Sequence, residues 1–440
     1  MDSVGIWLER LIFLAGNSPF EAMWFIFFSG GWIVVPILAW VMVKTIWLYS
    51  KQTAYDAKKD WILLAIDVPR LHEQTPRAVE NIFAHLAGAH SPASWTEKWF
   101  EGKTQDTISM EIVSIDGHVQ FLVRTTRGFR DLIEASIYAQ YPDAEIVEVE
   151  DYTLRVPSLY PDREWEMFGT EMIPVKSDVF PLRTYPEFED KVSGELKDPM
   201  AVMLENLSRI GPGEQVWFQI VMTPIEQKEF QVKVETFVKK LTGQKVEVKE
   251  SLLEKAVNLP IKGMGLVLET SGILGTPSVP PKKEMQPFSK ILQMSPGERK
   301  VLEAIEVKAS KIVYTCKIRF LYVAKKGVFK KQKTVSPFVG AIKQLNTNDL
   351  QSLKPETKRV GMNATLWFFK ESRNRERKRR FMSAYRSRSN WVGMPGYTLN
   401  IEELATLWHF PISMQSRPPQ LKKTESKRSE PPINLPFAPS

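Results

Sequence analysis

The chain has 440 residues, 43% of them hydrophobic, enough to bury the cores of two or three domains. Cys316 is its only cysteine, which excludes a disulfide framework and a cysteine-based metal site and fits folding in a reducing compartment. The net charge of +8 is unevenly spread: from Lys282 onward 32 Lys and Arg face 12 Asp and Glu, a net of +20, so the preceding part carries −12. The two parts therefore suit different electrostatic surroundings.

Residues 1–21 contain a short apolar stretch, Ile6 to Leu14, broken by Glu9 and Arg10. It reads as an interfacial or partner-binding helix on the extracytoplasmic side. Ala22 to Val43 then runs for 22 residues without a charge, and at about 1.5 Å per residue it spans a hydrocarbon layer of about 30 Å. Trp24, Trp40, Trp47 and Tyr49 lie toward its ends, and Lys44, Lys51, Lys58 and Lys59 follow it. This pattern predicts a single-pass transmembrane helix at 22–43 in the inner membrane, a juxtamembrane linker at 44–60 and a cytoplasmic C-terminal part. A cleaved signal peptide would want a basic start and a small-residue cleavage site, and neither is present.

Residues 61–151 read as β-α-β-β-α-β. The strand at Trp61 is followed by a helix from Pro76 to His90, and the strands ISMEIVSI and VQFLVRT are joined by Asp116 and Gly117, a hairpin signal. Arg127 to Pro142 follows as a helix with Phe129, Leu132, Ile133, Ser136 and Ile137 on one face, then the strand AEIVEVEDY. The order predicts a ferredoxin-like unit. Residues 152–212 are acidic and Pro-rich, an extended connector with a short helix near Pro199 to Ile210. Residues 213–411 form a second α+β unit. It begins with the strand at Glu214 to Pro224 and a charged helix from Ile225 to Leu241, then carries an insertion to about Pro287. It resumes with a helix capped by Ser295 and Glu298, the alternating strand KIVYTCKIRFLYVAKK, a helix over Ser336 to Leu345 and a strand near ATLWFFK. The predicted class is thus α+β, one N-terminal transmembrane helix followed by two ferredoxin-like α/β-sandwich units, the second with an insertion. Residues 412–440 make a disordered tail that serves as a linker or a docking peptide.

Chemistry-bearing motifs are few. No G-x-x-x-x-G-K-[ST] occurs, so the chain has no P-loop, and its five histidines make no metal-ligand spacing. Neither a G-x-S-x-G elbow nor a pairing of Cys and His occurs, and the sequence predicts no enzyme, no cofactor and no metal. Two elements remain as candidate binding sites. The first is the basic run Lys370, Arg373, Arg375, Arg377, Lys378, Arg379, Arg380, Tyr385, Arg386 and Arg388, whose composition suits nucleic acid, an acidic partner, anionic lipid or plain solvent. The second is the helix after Asn400, an N-cap with Glu402 and Glu403 in the first turn and Leu404, Leu407, Trp408 and Phe410 following, ended by Pro411.

The strings SIYAQYPDAEIVEVEDY, PGEQVWFQIVM and EELATLWHFP resemble a family of bacterial membrane proteins that occur beside, or fused to, motor ATPases of the HerA and FtsK type used in type IV secretion and conjugation. In fused members the element matching Leu399 to Pro411 leads, through a Pro-rich connector, into the motor. The resemblance implies a membrane-anchored accessory that docks a separate P-loop ATPase through Glu402, Glu403, Leu404, Leu407, Trp408 and Phe410. The lipid bilayer is then a second partner, with DNA and a second copy of the chain left open. It supplies no catalytic residues.

Overall fold

A computed structural model describes residues 18–29, 34–69, 74–189, 197–242, 294–362 and 369–411, with Glu9, Arg10, 12–14, Gly16 and Trp32. The tail at 412–440, most of the insertion and the strand foreseen near ATLWFFK lie outside the described residues. The chain divides into two compact units, one of residues 1–60 with 91–106 and one of 61–90 with 107–440.

In the first unit, Ser18 caps helix α1 (Pro19–Phe28) by accepting from the Glu21 N–H, with Pro19 in its first turn. The Ser29 N–H closes α1 on the Phe25 carbonyl, and α2 (Val34–Asp56) is a separate helix. This corrects the predicted transmembrane helix at 22–43. The uncharged run is divided between two helices, and only ten residues of α2 precede Lys44. Among the described residues no helix is long and apolar enough to cross a membrane. The 91–106 segment returns onto α2: Trp47 Nε1 donates to the Trp99 carbonyl at 3.1 Å, and Lys59 pairs with Asp56 and Asp106, each at 2.7 Å. At Gly102 (φ +78°) a Cβ would overlap the Lys51 carbonyl, so the close approach requires glycine.

Among the described residues the second unit is built on nine antiparallel strands: β1 (Trp61–Asp67), β2 (Ile108–Ile115), β3 (His118–Thr126), β4 (Glu145–Glu148), β5 (Trp165–Pro174), β6 (Glu214–Pro224), β7 (Val313–Lys325), β8 (Leu353–Pro355) and β9 (Tyr397–Asn400). They form one sheet in the order β4-β1-β3-β2-β6-β7-β5-β8, with β9 on β7. Two self-contained ferredoxin-like units are therefore not what the chain makes. The outer strand of the first group, β2, is paired along its whole length with β6, from Ile108 opposite Met222 to Ile115 opposite Gln215. An apolar β2 left as an edge would leave the backbone donors and acceptors of every other residue, those not bonded to β3, without partners. The acidic connector also supplies β5, paired with β7 from Trp165 opposite Lys325 to Met172 opposite Ile318.

Helices α3 (Pro76–Leu86), α4 (Arg130–Tyr138), α5 (Ala201–Ser208), α8 (Lys331–Lys343) and α10 (Ile401–Leu407) contribute to one large core with one face of the sheet. Helices α6 (Gln227–Thr242) and α7 (Pro296–Ser310) share a smaller cluster through Phe230, Val234 and Ile305. The opposite face of the sheet is covered by α9 (Lys370–Arg386), whose Phe381, Met382 and Tyr385 pack on Trp217, Leu321 and Val323.

Candidate functional site

Under α9, strand alternation places a row of polar residues across four neighbouring strands. Glu111 on β2 stands opposite Gln219 on β6, Gln219 opposite Arg319 on β7, and Arg319 opposite Glu171 on β5. All four are buried. Gln219 Nε2 donates to Glu111 Oε1 at 3.0 Å and to the Tyr385 carbonyl at 3.2 Å. Arg319 Nε donates to Glu171 Oε1 at 3.1 Å, and its Nη groups reach Gln219 Oε1 and the carbonyls of Ala384, Ser389 and Val392. The row thus ties the end of α9 and the segment after it to the sheet.

Arg388 completes the network. Its φ of +50° is a conformation that costs a non-glycine residue about 1–2 kcal/mol, and it turns the guanidinium inward. Arg388 Nε and Nη2 donate to Glu111 at 2.9 and 3.2 Å, and the same group pairs with Asp151. Ser109 and Tyr152 also donate to Glu111, both at 2.7 Å. Burial pushes the Glu111 carboxyl up, but Arg388 and these hydroxyls outweigh it and hold it below the usual range. Asp151 is lowered in the same way, burial being outweighed by Arg388. Beside the row, Lys317 donates to the Val392 carbonyl at 2.8 Å, and burial brings its amine down to about 8.

The predicted basic set is therefore divided. Arg388 and Tyr385 are interior residues, Arg386 donates to the carbonyls of Thr153 and Val156 at 2.7 and 2.6 Å, and Lys378 pairs with Glu166. Arg377 donates to the carbonyls of Gly361 and Lys358 at 2.7 and 2.8 Å. Lys370, Arg375, Arg379 and Arg380 are exposed and Arg373 is half-buried, with Arg379 and Arg380 both paired to Glu376 at 2.7 and 2.6 Å. The basic segment is first of all a clamp on the sheet.

Most of the predicted docking set lies inside the fold. Leu404, Leu407, Trp408 and Phe410 are buried, and the Trp408 ring lies 5.5 Å from Phe121 and 5.1 Å from Phe410. Glu403 is buried too: it closes the capping box with Asn400, accepts from the Leu182 N–H at 2.7 Å and pairs with the equally buried Lys308 at 3.0 Å. Glu402 alone of the set is half-exposed, paired with Lys311. The N-cap was legible from sequence; its burial was not, because a short apolar helix carries the same pattern whether a partner or its own sheet covers it.

Glu111, Gln219, Arg319 and Glu171 belong to no motif legible in the sequence. The signal that could have found them is a lone charge on an otherwise apolar strand face, as in ISMEIVSI and in the Lys317 and Arg319 of CKIRF.

Beside α9 the clamp leaves a pocket of about 450 Å³ lined by Arg359, Val360, Arg373, Glu376, Arg377, Arg380 and Phe381, with Glu171, Ala384, Val392 and Gly393. One wall is the turn after β8, where Glu356 accepts from the N–H groups of Lys358, Arg359 and Val360 at 2.7 to 2.8 Å. Phe381 fits only because residue 169 is glycine, where a Cβ would overlap its ring. No group of three His, Cys, Asp or Glu among the described residues is placed to hold a metal ion.

These features define an α+β protein with a single wide sheet, a buried charge network and an arginine-lined pocket. The chain belongs to the family described as Domain of unknown function (DUF8128), which matches residues 65–422. A search of curated proteins finds no match.

Proposed function

We propose that the chain is a non-catalytic assembly scaffold: the sheet unit is a rigid platform, and the 1–60 unit attaches it to an apolar partner surface. One observation carries this role. Helices α1 and α2 leave large apolar side chains bare, Phe28 at 73%, Leu38 at 62%, Trp40 at 69% and Met42 at 64% exposed among them. A soluble monomer does not keep such a surface uncovered, and a second protein surface removes it from water at about 25 cal/mol per Å². The resemblance of Leu399 to Pro411 to an element that leads into a motor makes a P-loop ATPase in trans our choice of partner, in a secretion or conjugation-like apparatus. The alternative, DNA held along α9, has less support, since at least five of its ten predicted contacts are held by residues outside α9.

The test is affinity purification of the tagged full-length protein in mild detergent from its native cell, with mass spectrometry of what co-purifies. A recovered P-loop ATPase, lost on deletion of residues 1–60 and kept in Arg375→Gln/Arg379→Gln, supports the scaffold. Recovery of DNA with no ATPase would overturn the scaffold in favour of the alternative.

A further inference from the structure

We infer that the pocket beside α9 is a binding site for a small organic phosphate, with the phosphate held by the guanidinium rim and an apolar or aromatic body lying over Val360 and Phe381. Its volume of about 450 Å³ falls in the range of small-ligand sites, about 300–1,000 Å³. A concavity of that size takes a discrete molecule rather than the side of a duplex.

The charge balance selects the ligand. Four arginines line the pocket, Arg359, Arg373, Arg377 and Arg380, against Glu171 and Glu376. Glu171 is already matched from outside the pocket, by Arg319 at 3.1 Å and by the Met394 N–H at 2.6 Å. Glu376 is shared between Arg380 and Arg379, and Arg379 is not part of the lining. The rim is left cationic by more than one charge, which a phosphate dianion neutralises better than a carboxylate.

Geometry adds to this. Arg373, Arg377 and Arg380 fall at i, i+4 and i+7 on α9, and like charges at that spacing destabilise a helix by a few tenths of a kcal/mol per pair. Arg377 has a structural reason to be there, since it anchors the turn after β8 through two carbonyls, and this also fixes its guanidinium in place. The exposed Arg359 and the 69%-exposed side chain of Arg380 contribute little to packing, so their convergence on the pocket is accounted for by a ligand. The site is independent of the scaffold role and is tested on the purified chain alone.

The probe is 1-naphthyl phosphate, titrated into the full-length protein and followed by its fluorescence, with inorganic phosphate, 1-naphthol and 1-naphthoate as comparisons. Saturable binding of 1-naphthyl phosphate is expected, with each comparison weaker by about tenfold or more. Arg380→Gln and Arg359→Gln, both at exposed positions, should weaken it about tenfold each, while Arg375→Gln, the same charge change outside the lining, leaves it unaltered; circular dichroism checks that all three fold. Absence of saturation overturns the site. So does an equal loss in Arg375→Gln, which would mean a diffuse field, and binding of inorganic phosphate as tight as the ester would overturn the apolar half of the proposal.

Discussion

Along β7 the two faces of the sheet part company. Tyr314, Cys316, Ile318, Phe320 and Tyr322 join the large apolar core with α8 and α10, whereas Lys317 and Arg319 from the same strand enter the polar layer beneath α9. The first face is held by packing, which has no direction and tolerates exchange of one apolar side chain for another of like volume. The second is held by groups that are stable only together, because each charge was desolvated on the condition that its partner be present. The same contrast separates the two predicted sites. The apolar helix α10 was foreseen as a docking face and is core; the basic helix α9 was foreseen as a surface open to nucleic acid, an acidic partner, lipid or solvent and is a lid fastened by ion pairs.

The largest effect should come from breaking one partner of the polar layer. Arg388→Met leaves Glu111 buried without its cation, at a cost of about 3–5 kcal/mol, read as a lowered denaturant midpoint. Adding Glu111→Met should restore much of the loss, since replacing both partners by apolar groups removes the desolvation penalty as well as the bond. If the double variant is as unstable as the single one, the two faces do not differ in the way stated. On the apolar side, Leu404→Ala should cost about 2–5 kcal/mol through the cavity it leaves. There, no second deletion rescues the first, and a Leu404→Met exchange should cost under about 1.5 kcal/mol.

Acid and alkali sharpen the contrast further. Glu111 and Asp151 are held below their ordinary values in the folded state, so the stability they contribute is present above the ordinary carboxylate range and is lost as pH falls through their folded values. Lys317 is lowered from 10.5 to about 8, and the sign is the same: its contribution is complete above 10.5 and disappears as pH falls through about 8. Against Lys317→Met, the native protein should therefore gain relative stability between pH 8 and 10.5 in equilibrium denaturation. A flat difference across that interval would mean that the amine is not desolvated. Variants confined to the apolar face, such as Leu404→Met, should show no such window.

How much of this was legible in the sequence follows the same division. Features set by neighbours in the chain were visible: the capping box at Ser295, the N-cap at Asn400 and the hairpin turn at Asp116 and Gly117. Features set by distant pairing were not. Nothing in ISMEIVSI announces that β2 will meet β6 a hundred residues on, so the sheet was cut into two units where the chain makes one. Nor does the acidity of 152–212 reveal β5, whose Trp165–Pro174 is placed by its partners β7 and β8 rather than by its own pattern. The run at 22–43 misled for a related reason, since lack of charge fixes an apolar composition but not a continuous helix. For α9, charge counting recorded eight basic residues in the helix and could not tell a guanidinium that seeks carbonyls from one that faces water.

The smallest expected effect tests that last point directly. Arg375 and Arg388 are the same residue type in one basic run, and composition treats them alike. Arg375 is exposed on α9, whereas Arg388 is 2% exposed and bonded to Glu111 and Asp151. A solvated guanidinium gains little from any single partner and is screened by salt, so Arg375→Met should change stability by no more than about 0.5 kcal/mol. Removal of a helical like-charge repulsion with Arg379, four residues on, could even make the change favourable by a few tenths. Measured beside Arg388→Met in the same denaturant series, the pair isolates burial as the variable, because charge, side-chain replacement and chain region are shared. Equal losses at the two positions would mean that the run acts through its total charge, and α9 would then be a solvated basic surface rather than a fastened lid.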